Sequence, residues 1–367
     1  MSGYSGYSGY SGYSGYSGYS GYSGYSGYSG YSGYAAAGAS DPLIADALTK
    51  SRSALVGAFS GTTLPATLPT PLDKAERLVD WAASPRLAVC TLEMLSGLRF
   101  DVNQGKGSVT LAFVNLDKKP LKDLTLTRLT RPTEDIFKQQ LDLVANYAEL
   151  REDRGAEVLA QMNGGAAFWA SIVGLTAHRH KYTLELLDLA MSLATHVEMR
   201  FKHAFACQRP VDLSPQIQPM IPTPGHASWP SGHATEAYMT CVVLQALIPH
   251  GDKYREQLER LAARIAVNRT VAGLHYPVDS AVGRLLGTSL AEFFVARCTG
   301  QKVHERGFSG PKFHGPKDTV IDFDPRVSMT DNKSGYYEYG SSASAIAASP
   351  LLEFMWTKAA KEWQPLK

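Results

Sequence analysis

Cysteine is scarce in this chain. The four that occur (Cys90, Cys207, Cys241, Cys298) stand far apart, with no CxxC and no Cys–His pairing at zinc spacing. That excludes a disulfide-stapled scaffold and argues against a structural zinc. Long apolar runs are missing too. The longest, Ala237 to Pro249, is broken by Thr240 and Gln245 and suits a buried helix rather than a membrane span. Nor is either charge in surplus: 36 Lys and Arg stand against 34 Asp and Glu, a net +2. So even a balance cannot neutralise many phosphates, which excludes a dedicated nucleic-acid binder. The amino terminus lacks the basic and apolar regions of a signal peptide. The expectation is a soluble protein without a membrane span.

What is present falls into two very different parts. Residues 2–34 are eleven consecutive Ser-Gly-Tyr triplets, holding 11 of the 19 tyrosines. The block has no charge, no aliphatic residue and no proline, so a collagen-like reading fails. Alternating small and aromatic residues suggest a segment that self-associates through tyrosine rings, giving a homo-oligomer or a repeat-mediated assembly. The plainer reading is a flexible tail or an added extension. The remaining residues have an ordinary globular composition. The expected division is 1–34 for the repeat, 35–72 for a linker and first helix, 73–300 for a helical catalytic domain, and 301–367 for a carboxyl-terminal extension packed on it.

Apolar residues at three- and four-residue spacing predict helices over most of the body. They cover Leu43–Phe59, Lys74–Leu98, Glu134–Leu150, Ala156–Leu175, His180–Cys207, Ala234–Ile248, Lys253–Thr270, Val278–Arg297 and Pro350–Trp363. Only Ser108–Val114 alternates as a strand, with a partner around Leu121–Leu129. The predicted fold class is all-α, a helical bundle with a short β-hairpin and an irregular carboxyl-terminal wrap.

Three segments carry chemistry. In the first, Lys202 and Arg209 stand seven residues apart, close to two helical turns, so both side chains should point the same way before Pro210 ends the helix. The second runs from His226 through Trp229, Pro230, Ser231 and Gly232 to His233. Ser231 and Gly232 would open a helix, with free backbone N–H groups and the positive end of the dipole. In the third, Arg269 precedes His275, and Asp279 follows four residues later.

Together these parts make an oxyanion cage. Lys202, Arg209 and Arg269 supply positive charge, and the Ser231 hydroxyl with the Ser231 and Gly232 amides supplies neutral donors. Asp279 can accept one ring N–H of His275 and orient it, leaving the other nitrogen free to attack or ligate a central atom. His233 is placed as general acid or base. Any one of these residues alone is more often a solvated or packing side chain; the conjunction is what signifies.

The set K-x6-RP, PSGH and R-x5-H-x3-D resembles the signature shared by type 2 phosphatidic acid phosphatases, bacterial class A acid phosphatases and vanadium-dependent haloperoxidases. The resemblance spans about 80 residues, Lys202 to Asp279. It implies an all-α bundle and a pocket for phosphate or vanadate, with phosphate competing for the same place. It also implies that His275 is either the nucleophile or the residue that bonds vanadate. Where the family pattern has Ser before the third cation, this chain has Asn268; the cation is kept.

His226 separates the two chemistries. A histidine seven before the PSGH histidine resembles the bromoperoxidase pattern, whereas soluble acid phosphatases carry Gly there. Against this, many haloperoxidases have Trp three residues before the first Lys, where this chain has Met199. The expected activity is therefore a vanadate-dependent haloperoxidase oxidising bromide with hydrogen peroxide and passing halogen to a small organic acceptor. His233, His226, Lys202 and His275 would be catalytic, with vanadate on His275. The alternatives are a soluble acid phosphatase acting through a phosphohistidine, and an assembly protein carried by the tyrosine repeat. Trp229 would wall the pocket or pack in the core. The resemblance leans toward an extracytoplasmic setting.

Overall fold

The computed structural model describes residues 42–58, 61, 71–115, 123–163 and 165–364. The Ser-Gly-Tyr repeat, read above as an assembly segment or a tail, lies outside the described residues. Two units are distinct, one of residues 19–74 and one containing residues 75–367. In the first, helix α1 (Pro42–Leu55) buries none of its residues.

The second unit is not all-α. It is mostly helical but contains a five-stranded mixed sheet, which corrects the predicted fold class. The single helix predicted over Lys74–Leu98 also divides, into a 3-10 turn at Ala75–Asp80 and helix α2 (Ala83–Leu95). Pro85 is the reason: it has no N–H to continue a helix but fits a first turn, where none is needed. Gly97, at φ 82°, then turns the chain into strand β1 (Leu98–Asn103).

Strands β2 (Ser108–Val114) and β3 (Asp123–Thr130) form the predicted antiparallel hairpin, with Ser108 opposite Thr130. Helices α3 (Glu134–Tyr147), α4 (Arg151–Asn163), α5 (Gly165–Val173), α6 (Lys181–Phe205) and the single turn α7 (Pro210–Leu213) follow. Next come α8 (Gly232–Leu247), α9 (Arg255–Val271) and α10 (Pro277–Thr299). Only then does the chain return to the sheet as β4 (Lys302–Ser309), parallel to β3, with β5 (Tyr337–Ala345) at the edge and α11 (Pro350–Lys361) last. Strand β3 lies so far back along the chain from β4 that no local turn signal announces their pairing. Strand β5, YEYGSSASA, is small and polar, as an exposed edge allows.

Helix α10 is the axis of the unit, buried along nearly its whole length between α8 on one side and the sheet on the other. Toward the sheet, the Phe113 and Phe293 rings stand 5.3 Å apart, and Thr127 donates to the Ser289 hydroxyl at 2.7 Å. Toward α8, Gly283 and Gly287 occur one turn apart. A Cβ at Gly283 would lie 2.7 Å from that of Ala234, and one at Gly287 would strike the Thr235 carbonyl. Their missing side chains let two backbones approach closely. This contact presses the start of α8 against the start of α10, where the second and third motifs lie. Ser231 N–H accordingly donates to the Asp279 carbonyl at 3.0 Å.

All four cysteines are buried and free. Among the described residues no helix is long and apolar enough to cross a membrane.

Candidate active site

Lys202 lies in the last turn of α6, which ends at Phe205 because Ala206 adopts a left-handed conformation. Arg209 is therefore not on the same helix, and the two-turn spacing expected to align it with Lys202 is not what brings them together. The chain reverses instead. Arg209 stands before α7, with Pro210 at its first position and the Asp212 carboxylate accepting the Arg209 N–H at 2.8 Å.

His275 and Asp279 flank the start of α10. Pro277 takes the first helical position, and Asp279 Oδ2 accepts the Tyr276 N–H at 3.2 Å. The same oxygen lies 2.8 Å from His275 Nδ1 and receives the Ser228 hydroxyl. On the other side of the ring, Arg209 Nη1 is 3.1 Å from His275 Nε2. A guanidinium can only donate, so Nε2 carries the lone pair and the ring proton sits on Nδ1, facing Asp279. Burial holds the His275 imidazole well below its usual range, and the Arg209 and Lys202 charges add to the effect. Burial pushes the Asp279 carboxyl up to about 6, against the Ser228 hydrogen bond and the Lys202 and Arg209 charges.

Arg209 is the hub. It donates to the carbonyls of His226 (3.1 Å) and Leu274 (3.0 Å), and its Nη2 lies 3.2 Å from His226 Nδ1. Burial lowers its pKa to about 10. Lys202 Nζ donates to the carbonyls of Ala227 (3.1 Å), Ser228 (2.8 Å) and Pro230 (2.5 Å). Its ammonium thus braces the second motif, whose Trp229–Pro230 bond is cis. Burial brings Lys202 down to about 8, with nearby Glu198 opposing that shift.

Ser231 caps α8, its hydroxyl accepting the Ala234 N–H at 3.4 Å. Its own amide is spent on Asp279, so it is not the free donor expected of it. The Gly232 and His233 amides, by contrast, have no acceptor among the described residues. His233 is half-buried on the first turn of α8. Burial, then the Arg269, Lys202 and Arg209 charges, hold its imidazole well below the usual range. His226 is also half-buried, and burial and the Lys202 charge lower it to about 4.

Arg269 is wholly buried (0% exposed), and burial lowers it to about 10. Only Nη2 is engaged, with Gln161 Oε1 at 3.1 Å and the Val158 carbonyl at 3.2 Å; Nε and Nη1 have no partner among the described residues. Asn268, the departure from the family pattern, donates to the same Gln161 oxygen at 3.0 Å and to Glu157 at 2.9 Å. It thereby helps hold the acceptor that positions Arg269.

Sequence reasoning missed Ser228, Gln161, the buried carboxyl of Glu198 and the half-buried one of Glu236. Ser228 lies inside the second motif, two residues before the proline, and that position was its only signal. Trp229 is fully buried, with Phe205 edge-on at 4.6 Å. It packs and does not wall the pocket.

The arrangement fits a tetrahedral oxyanion. Three unspent N–H bonds on the Nε and Nη1 of a buried arginine and two amides at a helix start await an acceptor of high negative charge, and the His275 lone pair can bond its central atom. Among the described residues no cluster of three His, Cys, Asp or Glu could hold a bare metal ion. A metal fitting this donor set is one that arrives as an oxyanion, bonded by one histidine. In comparison with known proteins, the model of the PAP2 superfamily matches residues 184–302. A search of the curated proteins finds no match.

Proposed function

We propose, from the PAP2 superfamily domain that the chain carries at residues 184–302, that this site is a vanadate-dependent haloperoxidase using hydrogen peroxide and bromide. That superfamily embraces acid phosphatases and vanadium haloperoxidases. One observation carries the choice: two half-buried imidazoles, His226 and His233, lie in the field of Lys202 and Arg209, and burial with those charges lowers both. A neutral imidazole has a lone pair to accept a proton and no proton to give, and a bound anion would raise its lowered basicity. It suits a reaction that begins by taking a proton from an incoming peroxide, and it ill suits one that must first deliver a proton to a leaving alcohol.

His275 Nε2, Arg209, Arg269, the Gly232 amide and the Ser231 hydroxyl would hold vanadate. When bound, vanadate supplies Lewis acidity that activates peroxide without a change of its own oxidation state. The residues do the rest. Asp279 and Ser228 keep the His275 proton on Nδ1, so Nε2 stays a donor of electrons. A ring nitrogen of His233 accepts the proton that peroxide loses. Lys202, with its three protons on loop carbonyls, contributes its charge and holds the second motif rigid. His226, against Arg209, lines the side from which halide approaches. The hypohalous acid formed passes halogen to a small organic acceptor.

A phosphatase reading has its own support. The oriented lone pair of His275 Nε2 would serve equally as a nucleophile toward phosphorus, and Lys202 has no N–H left to offer a peroxide. A paired assay tests the choice. Bromination of a phenolic reporter that requires vanadate and is suppressed by phosphate is the expected result. Release of phosphate from an aryl ester without bromination would overturn it.

A further inference from the structure

The chemistry above leaves a buried carboxyl unused. Glu198 lies on α6, one turn before Lys202, and is 3% exposed; its Oε2 has no partner among the described residues. It is not a remote core acid. A Cβ on Gly232 would stand 2.6 Å from Glu198 Oε1. The carboxyl therefore rests on the residue whose free amide opens α8, and a side chain at 232 would push it away. Around it stand Lys202 on the same helix, Glu236 from α8 and Arg209 from the turn before α7. A carboxyl so enclosed, with an oxygen that nothing satisfies, costs free energy unless something brought to the site completes it.

We propose that Glu198 is the specificity-determining residue of the oxyanion site, sharing one proton with the bound anion and so selecting tetrahedral oxyanions that carry a hydroxyl, such as phosphate and vanadate, against sulfate. The inference rests on the reading that the cage takes a tetrahedral oxyanion. Its logic is a count of protons. Two oxygens facing each other in a dry site need one hydrogen between them. Phosphate and vanadate bring their own across the neutral range, donating O–H to an ionised Glu198. Sulfate brings none, so it binds only when Glu198 supplies the proton. Burial and the Glu236 charge raise the pH at which Glu198 gives that proton up, while Lys202 and Arg209 pull the other way. Above that pH, sulfate binding falls by up to about tenfold per unit relative to phosphate. Lys202, Arg209, Arg269 and the Gly232 amide see both anions alike, so their own titrations cancel in the ratio.

Calorimetric titration of the full chain with sulfate and with inorganic phosphate, the latter's affinity referred to its dianion, between pH 6 and 9, tests this. In the wild type the preference for phosphate should rise with pH to the order of 100-fold, as expected of a site built around a ligand hydroxyl. In Glu198→Gln the amide can donate to either anion, and the ratio should fall close to one and lose its pH dependence. A wild-type ratio that is flat with pH, or a Glu198→Gln protein that keeps the wild-type ratio, overturns the assignment while leaving the oxyanion site standing. Absence of binding by either anion to the wild type overturns the oxyanion reading itself, and this inference with it. Should the variant fail to fold, the wild-type pH series alone still decides.

Discussion

The two flanks of the cage differ in how completely their polar atoms are paired. On the His275 flank, Arg209 directs its N–H groups to three carbonyls and two imidazoles, Lys202 places all three protons, and Ser228 and Tyr276 both serve Asp279 Oδ2. In a second set, Arg269 Nε and Nη1 and Glu198 Oε2 lack partners among the described residues, although Glu198 itself lies by Lys202 and Arg209. The first flank holds its own geometry before any ligand arrives. The second carries an unpaid desolvation cost that only a ligand can repay. Preorganisation and ligand hunger thus belong to different side chains of one site, and substitutions should separate them.

The largest effect belongs to His275, whose Nε2 lone pair Asp279 and Arg209 orient between them. His275→Ala should lower turnover more than about 1,000-fold, whichever chemistry operates. Unchanged circular dichroism would show that the fold survives. Next comes a direct contrast of the two flanks. Arg209→Met strands several buried acceptors and should cost roughly 3–5 kcal/mol of stability. Arg269→Met removes a half-satisfied charge and should cost clearly less, while weakening phosphate binding more than it lowers the urea midpoint. Equal losses would show the flanks to be alike. Smaller again is Asp279→Asn, which loosens the His275 tautomer and should reduce activity by about 10–100-fold.

The pH dependence of Lys202 is the mildest test. Its ammonium loses its proton near pH 8 in the free protein, and a bound anion holds that proton more tightly. Phosphate affinity should therefore weaken as pH rises above about 8, by at most about tenfold per unit. For folding the sign is opposite. The unfolded chain keeps this proton up to about pH 10.4, so the cost of burying the charge is relieved as pH rises from about 8 toward that value. Both trends should vanish in Lys202→Met.

Much of the cage was legible because it is built from short motifs. His275 and Asp279 belong to one helix start. Ser231, Gly232 and His233 belong to another, and each spacing is local. In the structure the Lys202 and Arg209 charges act on His226, His233 and His275, and the Arg269 charge acts on His233. The route by which Lys202 and Arg209 meet was misread, since nothing in Ala206 announces a left-handed residue. Glu198 was overlooked because a Glu four residues before a Lys on a helix ordinarily reads as a solvated surface pair. Gln161 and Asn268 act together across two helices, a relation that no spacing along the chain encodes. Strand β4 was missed for the same reason: it finds its partner β3 only after the whole helical body has intervened.

The sequence by itself determined the inventory: which cations, imidazoles and carboxylates exist, which lie at helix starts, and that an oxyanion is what such a set suits. Those are properties of residue type and of local backbone, and they need no partner from elsewhere in the chain. Only the tertiary structure decided which N–H groups are already spent and which remain. That depends on burial and on carbonyls supplied by distant segments. It was settled when Gly283 and Gly287 let α10 close on α8, burying Arg269 half-satisfied and laying Glu198 against Gly232.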